Sequence, residues 1–578
     1  MTKIVEERPR PPLFRMTFWL ATSLLSAVST TPHEAKRAAY ERSAAACRHG
    51  HADGVIVTLH EDAHPREYLA KLRARALEGD EFQHTHFDKV GRYVAATLSR
   101  DSLTAVFADE HALHVHADCI VRLQPVSEAK ILTPPAAAKG AVDLVGQFNV
   151  SAGVLRRSAS SPERWNWGPD RVDSTSYRDN QYRYGTATGR GTRLYHLDTG
   201  IYLNHAEFGG RARRGYSAGC PTGREKQCND GWLLGGEITE AQVRQGQVCD
   251  GHGTHTATTA VGSTFGIAKE ASVISVQSLD CTGSATNSQV LMAFEWAVND
   301  ALSSGEPSVI TLSLGGEYSE FLNKGTTRVV EYGIPVIVAS GNDGANACQT
   351  SPASTPAAIT VGGTDMEDGY ASYSNNGPCV DIHAPGSEIV AGYVVTGHTN
   401  AAAVLSGTSM ATPHVAGAAL QMLQLHPTMR PDDVKRSLLC MASTNVIHGL
   451  DAYTPNRLLH TGEALSFNEN VRLLNGQIRR PAVPVRHGQA NFSGFEYTSV
   501  GNAEAVSPSY VAPDATTCLA PMSSEHWHGA SRGSDPAVAD RVMGMEDVPR
   551  RRSGSSSSTG QPGVGSDAAS LKGVLQPQ

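Results

Sequence analysis

Ser406-Gly407-Thr408-Ser409-Met410-Ala411-Thr412-Pro413-His414 is the stretch from which the rest of the chain is read. It reads as the opening of a helix, with Pro413 tolerated if it falls in the first turn, where no N–H partner is required. A serine there has its own N–H aimed at a developing oxyanion, and the helix dipole favours negative charge. Gly407 and Ala411 leave room for an extended chain to approach. Two further motifs precede it. Leu197-Asp198-Thr199-Gly200 ends an apolar strand, and Gly251-His252-Gly253-Thr254-His255 opens a run of small residues. Nucleophile, base and orienting carboxylate are the three parts that acyl transfer at neutral pH requires.

Each motif also has a plainer reading. Asp-Thr-Gly is an aspartic-protease signature, but that chemistry needs two such carboxylates and the triplet occurs once. His252 and His255 resemble paired zinc ligands, yet the Glu of a helical His-Glu-x-x-His motif and a third ligand are lacking. A nucleophile elbow would come in the order Ser, acid, His, whereas here the order is Asp, His, Ser.

Outward from these motifs, residues 165–462 alternate apolar strands with helical stretches. Thr192 to Leu197, Ala271 to Val276, Val309 to Leu314 and Pro335 to Ala339 read as strands, and Ser288 to Asn299 as a helix. The alternation predicts an α/β fold in three layers, with a mostly parallel central sheet. Residues 52–125 read as a small α+β unit, with strands at Gly54 to His60, Val90 to Leu98, Ala105 to Ala108 and Cys119 to Leu123, and a helix at Pro65 to Ala76. A connector rich in Ala, Pro, Ser and Arg spans 126–164. Residues 463–578 have little periodicity and end in an Arg, Ser and Gly tract, which predicts disorder. Residues 1–31 read as a signal peptide or leader: basic residues, an uncharged run from Met16 to Thr31, and small Ala27 and Ser29.

Composition narrows the function. A net charge of −8 argues against nucleic acid as a partner. No stretch is long and apolar enough to predict a stable membrane span.

The three motifs, their order and the stretches between them resemble the catalytic domain of the subtilases, most of all the proteinase K and aqualysin branch. Trp167-Gly168-Pro169-Asp170-Arg171-Val172-Asp173 resembles the start of the mature enzymes, and Thr454-Pro455-Asn456-Arg457-Leu458-Leu459 their close. The resemblance implies a secreted serine endopeptidase with Asp198 as orienting acid, His252 as base and Ser409 as nucleophile. Asn342, in Ala339-Ser340-Gly341-Asn342-Asp343, would donate the second oxyanion hydrogen bond. His255 and His414 are implied to be structural neighbours. Departures are mild: His196 stands where an aliphatic residue is usual, Ser340 where Ala is common, and Asp250-Gly251 directly precedes the base.

The same resemblance places Ser313, Leu314, Gly315 and Gly316 on one side of a substrate cleft and Gly283, Ser284 and Ala285 on the other. A polypeptide substrate would lie between them as an added strand. Small residues at 315, 316, 340 and 341, with Ala339, imply a wide uncharged pocket and an apolar or aromatic preference before the scissile bond; Ser340 would narrow it slightly. Disulfides Cys249–Cys281 and Cys348–Cys379 are implied by the branch, and Cys220 with Cys228 by their shared insertion. Cys440 reads as a buried free thiol, while Cys47, Cys119 and Cys518 stay unassigned. Asp381, with the carbonyls of Pro356 and Ala358, is implied to bind a structural calcium ion; catalysis itself needs no cofactor.

Residues 52–125 resemble the family's inhibitory propeptide, an intramolecular partner removed by a cut expected between 150 and 164, with Arg156-Arg157 as one processing site. Histidines crowd this unit, so acid is expected to loosen it. The enzyme is expected to act as a monomer. A silent scaffold and a serine esterase are the competing readings. All four reacting groups are present, which favours an enzyme over the scaffold; comparing peptide with ester turnover separates the esterase.

Overall fold

The computed structural model describes residues 31–47, 50–82, 86–123, 129–132, 148–151, 154–157, 167–175, 178–218, 251–280, 282–395 and 398–462. The leader, the insertion with Cys220 and Cys228, and the 463–578 extension therefore lie outside the described residues, as do Cys249, Cys281 and Cys518.

Among the described residues the main sheet has nine strands. Their order is Ala212–Ser217, Ser272–Gln277, Arg193–Asp198, Ser308–Leu312, Val336–Ala339, Ile359–Thr364, Ile382–Pro385, Arg457–Leu458 and Ser443–Thr444. All neighbours run parallel except the final pair. Runs such as Val336-Ile337-Val338-Ala339 are buried throughout, as a sheet covered on both faces requires. Leu194, Val309, Ile337 and Val361 meet the helices His252–Val261 and Thr408–Leu425 on one face. Tyr195, Leu197, Ile310 and Val338 meet Asn287–Ser304 and Glu320–Glu331 on the other. The fold is α/β, in three layers.

Arg193–Asp198 is flanked by Ser272–Gln277 and by Ser308–Leu312, and the chain builds the sheet outward to both sides of it. Its carboxyl end is thus a topological switch point, where the connections diverge and leave a crevice. Asp198 stands there.

The N-terminal unit is an antiparallel sheet of Ala112–Arg122, His51–Leu59, Tyr93–Thr97 and His86–Phe87. Val55, Val57, Val94 and Val115 face its own helices, Pro65–Ala74 and Arg100–Ala108. Alternate residues Ile56, Tyr93, Ala95 and Val121 face the other way, into the cluster containing Leu291 and Leu322. The unit starts earlier than the expected residue 52: helix Pro32–Ala46 leads into Cys47, which is bonded to Cys119 on the long strand. Ala105 to Ala108, expected as a strand, closes helix Arg100–Ala108, because the Ser99 hydroxyl caps that helix by accepting from the Ser102 N–H.

The connector is not uniformly loose. Lys130–Leu132 pairs with Ala402–Leu405, and Val154–Arg157 lies between Phe148–Ser151 and Gln181–Arg183 with Leu155 in the main core. Arg156-Arg157 is therefore paired backbone inside a small sheet, not an open loop.

Candidate active site

Asp198 is fully buried. Burial pushes its carboxyl up, but His252, His196 and the Thr199 N–H outweigh that and hold it below the ordinary carboxylate value. His252 begins its helix, and its Nδ1 donates to Asp198 Oδ1 at 2.8 Å. That bond fixes the tautomer, leaving Nε2 as the basic nitrogen. The Thr199 N–H donates to the same Oδ1 at 2.7 Å, while Thr199 Oγ1 accepts from the Gly253 N–H at 3.1 Å. One residue thus ties the acid's strand to the base's helix.

His196 lies behind the acid. Its Nε2 is 2.9 Å from Thr256 Oγ1 and 3.8 Å from Asp198 Oδ2, and burial lowers its pKa to about 4. It is a neutral ring wedged against the carboxylate. His255 donates from Nε2 to Ile389 O and Ala403 O, and His414 donates from Nδ1 to Met410 O. Both are buried, with pKa values lowered to about 3 and about 4, so both are neutral packing residues.

Ser409 is the second residue of helix Thr408–Leu425, and its hydroxyl donates to Ser313 O at 3.2 Å. The proline of the motif lies deeper than expected, as the sixth helical residue rather than within the first turn. Lacking an N–H, it leaves Ser409 O without its helical donor. The Ser313 hydroxyl donates to that carbonyl at 3.0 Å, so the two serines exchange hydrogen bonds and the helix keeps its start.

Asn342 follows strand Val336–Ala339. The Thr408 N–H and hydroxyl both donate to its Oδ1, at 2.9 and 2.8 Å. With the oxygen held, Nδ2 is turned toward Gly407, 3.3 Å from where a Cβ would stand. Asn375 supports this loop: its Nδ2 donates to Ser340 O, and its Oδ1 accepts from the Asp343 and Ala345 N–H groups. Gly341 has φ +106° and passes so close to Asn375 that a Cβ would meet its Nδ2 at 2.3 Å. Neither Thr408 nor Asn375 is singled out by the sequence, since each acts only across the fold.

Comparison with known proteins gives one answer. Residues 189–461 match the family model described as Subtilase family. An extracellular serine proteinase of a Thermus species is 42% identical over 296 residues, 51% of this chain and 66% of its own length. The subtilisin-like serine protease Pen ch 13 of Penicillium rubens is 39% identical over 316 residues, 54% of this chain and 71% of its own. The cuticle-degrading protease of Metarhizium anisopliae is 33% identical over 395 residues, 68% of this chain and 92% of its own. The chain belongs to the subtilase family. Its class is that of the serine-type endopeptidases. The Metarhizium alignment is longer than the family match, so that likeness extends beyond the catalytic segment.

In this subtilase the segments expected to flank a substrate pair with the chain's own N-terminal unit. Ser284–Thr286 pairs antiparallel with Ile120, Val121 and Arg122 of the N-terminal unit. The Leu123 N–H donates to Gly283 O at 2.8 Å, and the Arg122 N–H to Gly315 O at 3.3 Å. A Cβ on Gly316 would come within 2.9 Å of the Val121 side chain, so glycine is what lets the strand lie down. Leu314 and Ala339 are buried nearby, and the buried Ser340 turns its hydroxyl to Asn375 O and Ser374 Oγ. Its oxygen thus supports the Asn342 loop.

The N-terminal unit adds a buried carboxyl contact. Asp118 is buried at the start of helix Asn287–Ser304, accepting from the Ser288 N–H at 2.9 Å and the Ser288 hydroxyl at 2.5 Å. Glu295 Oε2 accepts in turn from the Lys89 and Val90 N–H groups.

Of the cysteines, Cys348 and Cys379 are bonded, as are Cys47 and Cys119. Cys440 is corrected: it is half-buried and disulfide-bonded, not a buried free thiol. Its expected isolation rested on local apolarity, which says nothing of a distant partner.

The calcium expectation meets an obstacle. Pro356 O, Ala358 O and Asp381 Oδ2 do converge, but on the ammonium of Lys435, at 3.0, 2.6 and 2.9 Å. A divalent cation does not fit beside that charge. Among the described residues no group of three or more His, Cys, Asp or Glu side chains forms a metal site either.

Proposed function

We propose that the chain is a secreted endopeptidase made as a self-inhibited proenzyme, cutting polypeptides through an acyl-enzyme. The observation that carries this reading is the strand 120–123, seated between Gly283–Thr286 and Gly315 as a substrate would be. An inhibitor that uses the substrate's own hydrogen bonds competes for the cleft while its chain connection keeps it locally concentrated.

In the reaction, Ser409 Oγ leaves Ser313 O and attacks the scissile carbonyl carbon, while its proton passes to His252 Nε2. Asp198 steadies the resulting imidazolium. The oxyanion is held by the Ser409 N–H and Asn342 Nδ2, worth about 3 kcal/mol for one such donor. The leaving amine takes the proton from His252, and a water activated by the same ring then releases the acyl group. Every step uses side chains of this chain, and no cofactor takes part.

The small residues Gly315, Gly316, Ser340 and Gly341 support an apolar or aromatic preference before the scissile bond. Arg122 and Leu123 lie in the places of residues before that bond, so we place the first self-cut a few residues after Leu123. The expected 150–164 region is less suited, since Arg156 is paired on both sides and Arg157 with Phe148 on one. Secretion is supported by the extracellular Thermus relative. Among the described residues no helix is long and apolar enough to cross a membrane. The reacting groups come from one chain, which suits action as a monomer.

The test is hydrolysis of casein by the full chain beside Ser409→Ala, with the mass of each followed. Cleavage of casein and self-shortening by the wild type alone is expected. If Ser409→Ala shortens or digests casein equally, the assignment is wrong.

A further inference from the structure

Lys435 sits on helix Pro431–Met441 and is 7% exposed. An ammonium buried this far is costly unless each of its N–H donors finds an acceptor. Its Nζ meets three oxygens, Ala358 O, Asp381 Oδ2 and Pro356 O, at 2.6, 2.9 and 3.0 Å. Asp381, also 7% exposed, supplies an opposing charge. Its Oδ2 additionally accepts from the Thr360 N–H at 2.9 Å, so the carboxylate is anchored to the strand that follows the two carbonyls.

Two carbonyls and one carboxylate converging on a point make an oxygen seat of the kind a hard cation takes. We infer that Lys435 is a resident cation that replaces a structural calcium ion in this seat, so that the seat holds its loop without any divalent metal.

The loop matters to the site. Residues 350–358 run from the strand that pairs with Gly316–Glu317, and the Thr350 hydroxyl donates to Ser340 O beside the Asn342 loop. Lys435, for its part, follows helix Thr408–Leu425, which carries Ser409. The ammonium therefore ties the nucleophile's side of the fold to the oxyanion side. A metal ion does this reversibly, at the mercy of free calcium. A covalently attached amine cannot be chelated away.

The test compares melting of the full chain, made inactive by Ser409→Ala so that it cannot digest itself, in chelator and in millimolar calcium. With Lys435 present, Asp381→Asn is expected to remove no calcium-dependent stabilisation, because none resides there. Lys435→Met keeps the length but loses the charge, and should lower Tm by about 5 °C or more in either medium. Lys435→Ser opens the seat: its Tm should fall in chelator and recover in calcium, and adding Asp381→Asn should abolish the recovery. The inference is overturned if Asp381→Asn removes calcium-dependent stability from the chain that retains Lys435. It is also overturned if Lys435→Met melts with its parent, or if Lys435→Ser gains nothing from calcium. Should neither lysine variant fold, crystals of the parent grown in calcium decide. Lys435 in the seat supports the inference, and an ion at about 2.3–2.6 Å from the three oxygens, with the lysine displaced, overturns it.

Discussion

Thr408 and Asn342 stand 66 residues apart in sequence, and the Thr408 hydroxyl donates to Asn342 Oδ1 at 2.8 Å. The donor face of the amide is thereby chosen by the residue next to the nucleophile. Removing Asn342 Nδ2 with Asn342→Ala should lower kcat by roughly 100- to 1,000-fold with KM little changed. Thr408→Val keeps the backbone bond to Oδ1 but loses the hydroxyl, and should lower kcat by about tenfold. A kcat for Thr408→Val equal to wild type in steady-state peptide hydrolysis would contradict this orienting role.

His116 gives docking of the N-terminal unit a pH dependence. Its ring meets Phe321 edge-on at 4.6 Å between centroids. Burial lowers its pKa to about 4, with Glu320 opposing that shift and His114, Lys324 and Arg42 assisting it. A histidine lowered from 6.5 on docking binds its proton better when released. Docking is therefore strongest above about pH 6.5 and weakens as pH falls toward 4. This residue alone should weaken docking about tenfold at pH 5.5 relative to 7.5. Asp118 acts in the opposite sense, since burial pushes its carboxyl up despite the two Ser288 bonds. The His116→Phe variant isolates the histidine: the gap between its docking constant and the wild type's should widen as pH falls. A constant gap would show that His116 does not titrate on release.

His196 tests how much the acid depends on what lies behind it. His196 lowers the Asp198 carboxyl only through the charge of its protonated ring, and His252 with its hydrogen bond does more. His196→Val should therefore lower kcat by less than about tenfold, whereas Asp198→Asn, which reverses the tautomer preference of His252, should lower it by about 10,000-fold. Equal losses for the two variants would make His196 an essential partner of the triad.

Cys348 and Cys379 close a loop of 31 positions. Replacing both by Ser should remove about 3–4 kcal/mol of stability, on the loop-entropy estimate. The measurement is the denaturant midpoint of the Ser409→Ala chain with and without the pair. An unchanged midpoint would mean that the surrounding turns already fix this loop.

What the sequence by itself determined is what local chemistry and periodicity can carry. The strand at Arg193–Asp198, the helix at Ser288 to Asn299 within Asn287–Ser304, and the Asp, His, Ser order are all legible because each is written in contiguous residues. Local reading failed where a partner lay far away. Ala105 to Ala108 looked extended, yet Ser99 caps the segment as a helix. Pro413 looked confined to a first turn, yet the Ser313 hydroxyl lets the helix carry it further in. Lys435 is one cation among 49 in the sequence, and nothing near it points to Asp381. Only the tertiary structure decided that this ammonium, rather than a calcium ion, meets Pro356 O, Ala358 O and Asp381. The physical reason is that electrostatic pairing depends on distance in space, and a helix placed against a distant loop sets that distance without leaving a mark on local sequence.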